Sequence, residues 1–160
     1  MLSFISSMCN SVNHNKMYKY KLGVRSLTRL DGIRSVLIAI LVDALAHKDC
    51  PYDFGIPQYG GKRNALEQNK LFLKKVSQRD GYIRLSRHQF GDAFDIYAYI
   101  NGTASWDPDI LEAIAKHIIK IARFKYNVHL VWGGDWDDDG IRVDKDGNER
   151  FFDGGHFQIK

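Results

Sequence analysis

The chain has 160 residues, 44% of them hydrophobic and 26% charged, which fits one globular domain with its own core and excludes a low-complexity chain. Its longest apolar run, VLIAILVDAL at 36–45, is too short to span a bilayer and is interrupted by Asp43, so no integral membrane segment is expected. The net charge of +4 is uneven: residues 131–160 hold eight acids against four bases, a balance of −4, which leaves +8 on the rest.

Residues 1–16, MLSFISSMCNSVNHNK, lack periodicity, a positive start and the long apolar run of a secretory signal. They read as a disordered N-terminal extension, with Met17 opening a domain over 17–160. Ile33, Val36, Leu37, Ile40, Leu41, Ala44 and Leu45 recur at helical spacing and predict a core helix over 33–46. A short strand at about 53–57 and a Gly60-Gly61 turn follow. Asn64 and Glu67 form a capping-box pattern that opens a helix reaching about Val76. Residues 77–93 read as loop. In AFDIYAYI (93–100), Phe94, Ile96, Ala98 and Ile100 share one strand face, and Asp95, Tyr97 and Tyr99 the other. Asp107-Pro108 starts a helix running to about Phe124. VHLVW (128–132) is a strand, residues 142–151 a hairpin turning at Asp146-Gly147, and HFQI (156–159) a last strand with His156 and Gln158 on one face. Strands and helices do not strictly alternate. The fold class is α+β, a small, mostly antiparallel sheet with helices packed on it.

The basic part of the chain suits an anionic polymer such as nucleic acid or a bacterial envelope. No Lys/Arg tract interleaved with aromatics is present, so nucleic acid is not the expected partner. Cys9 and Cys50 make no disulfide framework and read as free thiols.

Of six histidines, His14, His47, His117 and His129 read as tail, surface or core residues. His88 and His156 differ. Each lies near glycine and a carboxylate: Asp92 and Asp95 after His88, Asp153 before His156. An aspartate between Phe94 and Ile96 is costly to bury without an arginine or a metal as partner. Histidine and carboxylate suit zinc, which in hydrolases takes three protein ligands and leaves a place for water. A turn at Gly91 lets His88 fold back against Asp95, and His156 joins them if the two strands are neighbours. A structural zinc site is the alternative, although that usually has four ligands, mostly cysteine.

Ser86, His88, Gly91, Ala93 and Asp95 spell S-x-H-x-x-G-x-A-x-D; Asp153 and His156 spell D-x-x-H; WGGDW (132–136) precedes the second motif. Over roughly 17–160 the chain resembles the zinc D-alanyl-D-alanine carboxypeptidase and L-alanyl-D-glutamate endopeptidase family, especially its phage endolysins. The resemblance implies a hedgehog/D-Ala-D-Ala-peptidase-like fold. It implies one Zn2+ held by His88, Asp95 and His156, with Asp153 as general base. It also implies an arginine ahead of the first motif, for which Arg63 is the candidate and Arg84 the runner-up. Ser86 either binds substrate or holds the loop. The implied activity is cleavage of the peptidoglycan stem peptide, at the L-alanyl-D-glutamate bond, by a monomer with no wall-binding module. It would wait in the host cytoplasm until lysis and then act in the periplasm and cell wall. A D-alanyl-D-alanine carboxypeptidase or dipeptidase, or a non-catalytic zinc-bearing binding module, are the alternatives.

Residues 135–146 also follow part of a calcium-loop pattern. Asp135, Asp137 and Asp139 hold its first, third and fifth places, Gly140 the sixth, and Ile141 would offer a carbonyl. Asp146 stands where glutamate is usual, Arg142 where an apolar residue is usual, and flanking helices are not expected. The loop reads either as a Ca2+ site or as a solvated acidic turn.

Overall fold

A computed structural model describes residues 19–145 and 151–160. The expected extension at 1–16 with Cys9 and His14, the start at Met17, and the turn at Asp146-Gly147 lie outside the described residues. Among the described residues five helices and six strands are formed: α1 (Val24–Arg29), α2 (Ser35–Ala46), β1 (Asp53–Gly55), α3 (Ala65–Leu73), α4 (Arg87–Phe90), β2 (Ala93–Asp95), β3 (Tyr97–Ile100), β4 (Thr103–Ser105), α5 (Pro108–Tyr126), β5 (Leu130–Trp132) and β6 (His156–Ile159). Helices and antiparallel strands are mixed, as the α+β class requires.

The long helices form where sequence signals are strongest. Asp107 caps α5 by accepting from the amides of Asp109 (3.0 Å) and Ile110 (3.1 Å), and Pro108 sits at its first position. Leu111, Ile114, Ala115, Ile118 and Ala122 give α5 a buried stripe, which packs on the buried stripe of α2 (Leu37, Ile40, Leu41, Ala44, Leu45). Asn64 and Glu67 form the expected capping box on α3. That helix ends at Leu73 rather than near Val76. Lys75 turns left-handed (φ 59), and the amides of Lys75 and Val76 bond back to Phe72 (2.8 Å) and Leu71 (3.1 Å), which closes the helix in a Schellman motif.

Two further expectations are corrected. The expected single sheet is two antiparallel three-stranded sheets, ordered β1-β3-β4 and β2-β6-β5. The alternating run 93–100 is divided between them at Ile96, because the Asp95 amide bonds to Gly60 (2.7 Å) and the Ile96 amide to Gly155 (2.9 Å). The expected first arm of the hairpin at 142–151 is not a strand: Val143–Lys145 is a turn. Buried Arg142 draws this segment onto α5 through Asp109 (2.6 Å) and Glu112 (3.1 Å) while also bonding Asp144 (2.6 Å).

Sheet register then sets the site. Across β2 and β6, Phe94 pairs with Phe157 and Asp95 with His156. The two phenylalanines stack in the core, ring centroids 5.1 Å apart. Because side chains alternate, the aspartate and histidine are thereby brought together on the opposite face.

Candidate active site

His88 comes from α4, a single turn within the segment expected to be loop. Ser86 accepts from the His88 amide (3.4 Å), and Gln89 returns a bond to the Ser86 amide (2.9 Å), so Ser86-x-x-Gln89 is a second capping box. Gly91 ends the turn in a left-handed conformation (φ 73), where a Cβ would lie 2.4 Å from the Gly32 carbonyl oxygen. The chain thereby reverses into β2 and sets His88 against Asp95.

Three atoms converge. His88 Nε2 lies 3.1 Å from Asp95 Oδ1 and 3.1 Å from His156 Nδ1, and His156 Nδ1 lies 3.0 Å from Asp95 Oδ1. The outer atoms fix the tautomers. His88 Nδ1–H donates to the Gly61 carbonyl (2.8 Å), and His156 Nε2–H donates to Gln158 Oε1 (3.2 Å). Each neutral ring therefore turns a lone pair inward, beside a carboxylate oxygen. Three acceptors this close repel one another unless a proton or cation sits among them. Zinc bonds of about 2.0–2.1 Å place tetrahedral ligands about 3.4 Å apart, so the donor set fits such an ion closely.

Arg63 supplies the frame. Its Nη2 bonds Asp95 Oδ2, its Nε bonds the Tyr59 carbonyl (2.5 Å) and its Nη1 bonds Gln68 Oε1 (3.2 Å). One carboxylate oxygen is thus held by arginine and the other faces the histidines. Arg84, the runner-up, is exposed and pairs with Asp80. Ser86 is placed as a helix cap that lines the cleft.

Charge states follow from this packing. Burial acts to raise the Asp95 pKa, yet His88, His156 and Arg63 together hold it well below the carboxylate range. Burial lowers His88. Burial would also lower His156, but the Asp95 hydrogen bond and charge raise it overall. Asp153 lies in the same cleft, and its carboxyl takes no hydrogen bond from the described residues. Burial, then the charge of Asp95, pushes its pKa up to about 6.

WGGDW brackets this segment. Trp132 Nε1 donates to the Gly154 carbonyl (2.8 Å), the Asp153 amide donates to Gly133 (2.9 Å), and the Gly133 amide donates to His156 (2.8 Å). Trp136 packs over His156, ring centroids 5.4 Å apart. A cleft of about 880 Å³ runs over the histidines, Asp95, Asp153 and Arg63.

Sequence comparison places this geometry. The profile of the phage L-alanyl-D-glutamate peptidase family matches residues 18–160. The chain belongs to that family. It is 30% identical over 146 residues to the L-alanyl-D-glutamate peptidase of Escherichia phage T5, covering 88% of this chain and 98% of that one. It also superposes on the crystal structure of the Serratia marcescens L-Ala D-Glu endopeptidase ChiX with a TM-score of 0.68 and 26% identity, covering 89% and 92% of the two chains.

The acidic loop of this family member is partly assembled. The carboxylates of Asp135, Asp137 and Asp139 lie within 4.8 Å of one another, and Asp146 is outside the described residues. Asp135 accepts from the amides of Asp139 (3.1 Å) and Gly140 (2.9 Å), and the Ile141 amide donates to Asp139 (2.7 Å). Asp138 pairs with His129 (2.6 Å) and Lys160 (2.8 Å), so His129 has the acidic partner that its sequence neighbourhood lacks.

Sequence reasoning missed Gly61, Tyr59 and Gln68. A backbone carbonyl has no side-chain signature, and Gln68 reads as an ordinary polar helix residue. Gln158 was visible as the residue sharing His156's strand face.

Proposed function

We propose that this protein is a zinc endopeptidase of the endolysin type that hydrolyses the L-alanyl-D-glutamate bond of the peptidoglycan stem. The observation that carries the reading is the convergence of three lone pairs, from His88, Asp95 and His156, beside the Asp153 carboxyl, which takes no hydrogen bond from the described residues. Zinc held there supplies a Lewis acid and a water acidified toward neutrality. Asp153, with its carboxyl pushed up to about 6, accepts a proton from the attacking water at neutral pH and returns it to the leaving amine. Arg63 fixes Asp95 so that one oxygen faces inward, and it presents positive charge along the cleft where the scissile carbonyl gains negative charge. Ser86 holds the His88 turn. Among the described residues no helix is long and apolar enough to cross a membrane. The reading includes a monomer held in the host cytoplasm until lysis and then acting on the wall.

For the acidic loop, the clustering of Asp135, Asp137 and Asp139 supports Ca2+ occupancy. Calorimetric titration with calcium is expected to show one site, lost in Asp137→Asn. Absence of heat leaves a solvated turn, whose fold the Asp135 and Arg142 bonds already explain.

Digestion of purified peptidoglycan, with mass spectrometry of the new termini, tests the main reading. A new N-terminal D-glutamate supports it. Released D-alanine makes the protein a carboxypeptidase, and no product makes it a binding module. Asp153→Ala is expected to abolish turnover while leaving bound zinc, measured by atomic emission, unchanged.

A further inference from the structure

Two depressions meet at Asp95 and Asp153. The larger, of about 880 Å³, is walled by Arg63, Arg79 and Arg87. The smaller, of about 350 Å³, is apolar beyond those two acids, lined by Ile96, Trp106, Leu111 and Phe152. A substrate cut between alanine and glutamate has the same asymmetry. Its alanyl half offers a methyl group. Its glutamyl half keeps one carboxylate free whichever of its two carboxyl groups continues the chain. A cation is needed on the leaving side only.

The three arginines are not equivalent. Arg63 is engaged by Asp95, Tyr59 and Gln68. Arg87 lies 4.0 Å from Asp92, which also pairs with Arg34. Arg79 faces no carboxylate among the described residues. The neighbouring acid, Asp80, is occupied by the amides of Tyr82 (2.7 Å), Ile83 (2.8 Å) and Arg84 (3.0 Å). An exposed arginine alone signifies little, but this one is anchored. Its carbonyl accepts from Gln68 Nε2 (2.9 Å), and its amide donates to Ser77 Oγ (3.2 Å), which itself accepts from Gln68 (2.8 Å). Gln68 is fully buried and also accepts from Arg63. One continuous set of bonds therefore runs from Asp95 through Arg63 and Gln68 to the backbone of Arg79.

Resting on the peptidase reading, we infer that Arg79 recognises the free carboxylate of the glutamyl residue. The substrate is thereby threaded with its leaving half in the arginine-lined cleft and its alanyl half in the apolar one.

The test pairs loss of charge on each partner. Two synthetic stem peptides are compared, one with the free glutamyl carboxylate and one with that group as its amide. The enzymes are wild type, Arg79→Met, Arg79→Lys and Arg87→Met, each loaded with zinc and checked for zinc content and thermal unfolding. Wild type is expected to favour the carboxylate about tenfold in kcat/KM, chiefly through KM, as for a partly exposed charged hydrogen bond. Arg79→Met is expected to bring the two peptides within about twofold, and Arg79→Lys to restore part of the preference. Equal cleavage of both peptides by wild type, or a preference that survives Arg79→Met or disappears only in Arg87→Met, overturns the assignment while leaving the peptidase reading intact. Failure of wild type to cut either peptide overturns both.

Discussion

Asp95 has two oxygens with two employments, and that division organises the site. Oδ2 is held by a planar guanidinium with two further anchors, the Tyr59 carbonyl and Gln68, and Oδ1 is left to the histidines. Arg63→Met should therefore weaken zinc binding by about 10–100-fold, as loss of an orienting partner does, with Arg63→Lys recovering charge but not the fork. Competition against a chromophoric chelator measures this, and unchanged affinity would remove Arg63 from the site. Asp153 makes the opposite arrangement, a half-buried carboxyl near a second carboxylate, where burial and the charge of Asp95 outweigh the help of His156 and Arg63. Its folded pKa of about 6 lies above the ordinary value near 3.9, so the folded state binds the proton more tightly than the unfolded chain. Ionisation of Asp153 thus costs stability, beginning as pH rises past about 4 and complete above about 6. Metal-free Asp153→Asn should be more stable than metal-free wild type at pH 7.5, by on the order of 1–3 kcal/mol, and equal to it at pH 4. Urea unfolding at the two pH values, with chelator present, reads the difference. A variant less stable at pH 7.5 would mean that the carboxylate has a stabilising partner.

At the scale of elements, the site depends on how sharply the chain reverses between α4 and β2. Gly91 has two reasons to be glycine: a left-handed backbone and the Gly32 carbonyl 2.4 Å from where a Cβ would sit. Gly102 shares the backbone conformation (φ 80) but has open space around it. Gly102→Ala should cost about 1–2 kcal/mol, and Gly91→Ala about 2–4 kcal/mol with a further loss of zinc affinity as α4 shifts His88. Equal losses in urea unfolding would show that the contact with Gly32 is easily relieved. These elements also show what sequence reading reaches. The capping pair Asn64/Glu67, the Asp107-Pro108 start and the apolar stripe of 33–46 act over one or two helical turns, so their elements were legible. The one-turn α4 carried the same capping signal in Ser86 and Gln89, but lay in a polar stretch without apolar periodicity. The division of 93–100 between two sheets was not legible, because the bonds that bend it come from Gly60 and Gly155, far away in the chain. His88, Asp95 and His156 were readable as a chemical set, and Gln158 as the neighbour on His156's strand face; the carbonyl of Gly61 and Gln68 behind Arg63 were not.

Taken whole, the molecule ties the site together through a central strand. β6 lies between β2 and β5 in its sheet, so the ligand most distant along the chain arrives on the strand that joins the other two. The candidate ligand atoms come from α4, β2 and β6, with up to 68 residues between partners. An ion bound there joins segments that the chain alone holds by strands of three and four residues. Such an ion binds the folded state far better than the unfolded one, so free zinc at a thousand times its dissociation constant should add about 4 kcal/mol, or roughly 10 °C in Tm for a domain of this size. The gain should shrink at acid pH, because zinc must displace the proton that Asp95 stabilises on His156. Hydrogen exchange should place the added protection in α4, β2 and β6, and leave β1, β3 and β4 unchanged. His88→Ala should abolish both effects. A Tm indifferent to zinc and chelator, in a protein that still cleaves its substrate, would mean that the two histidines and Asp95 do not hold the ion on which the peptidase reading relies.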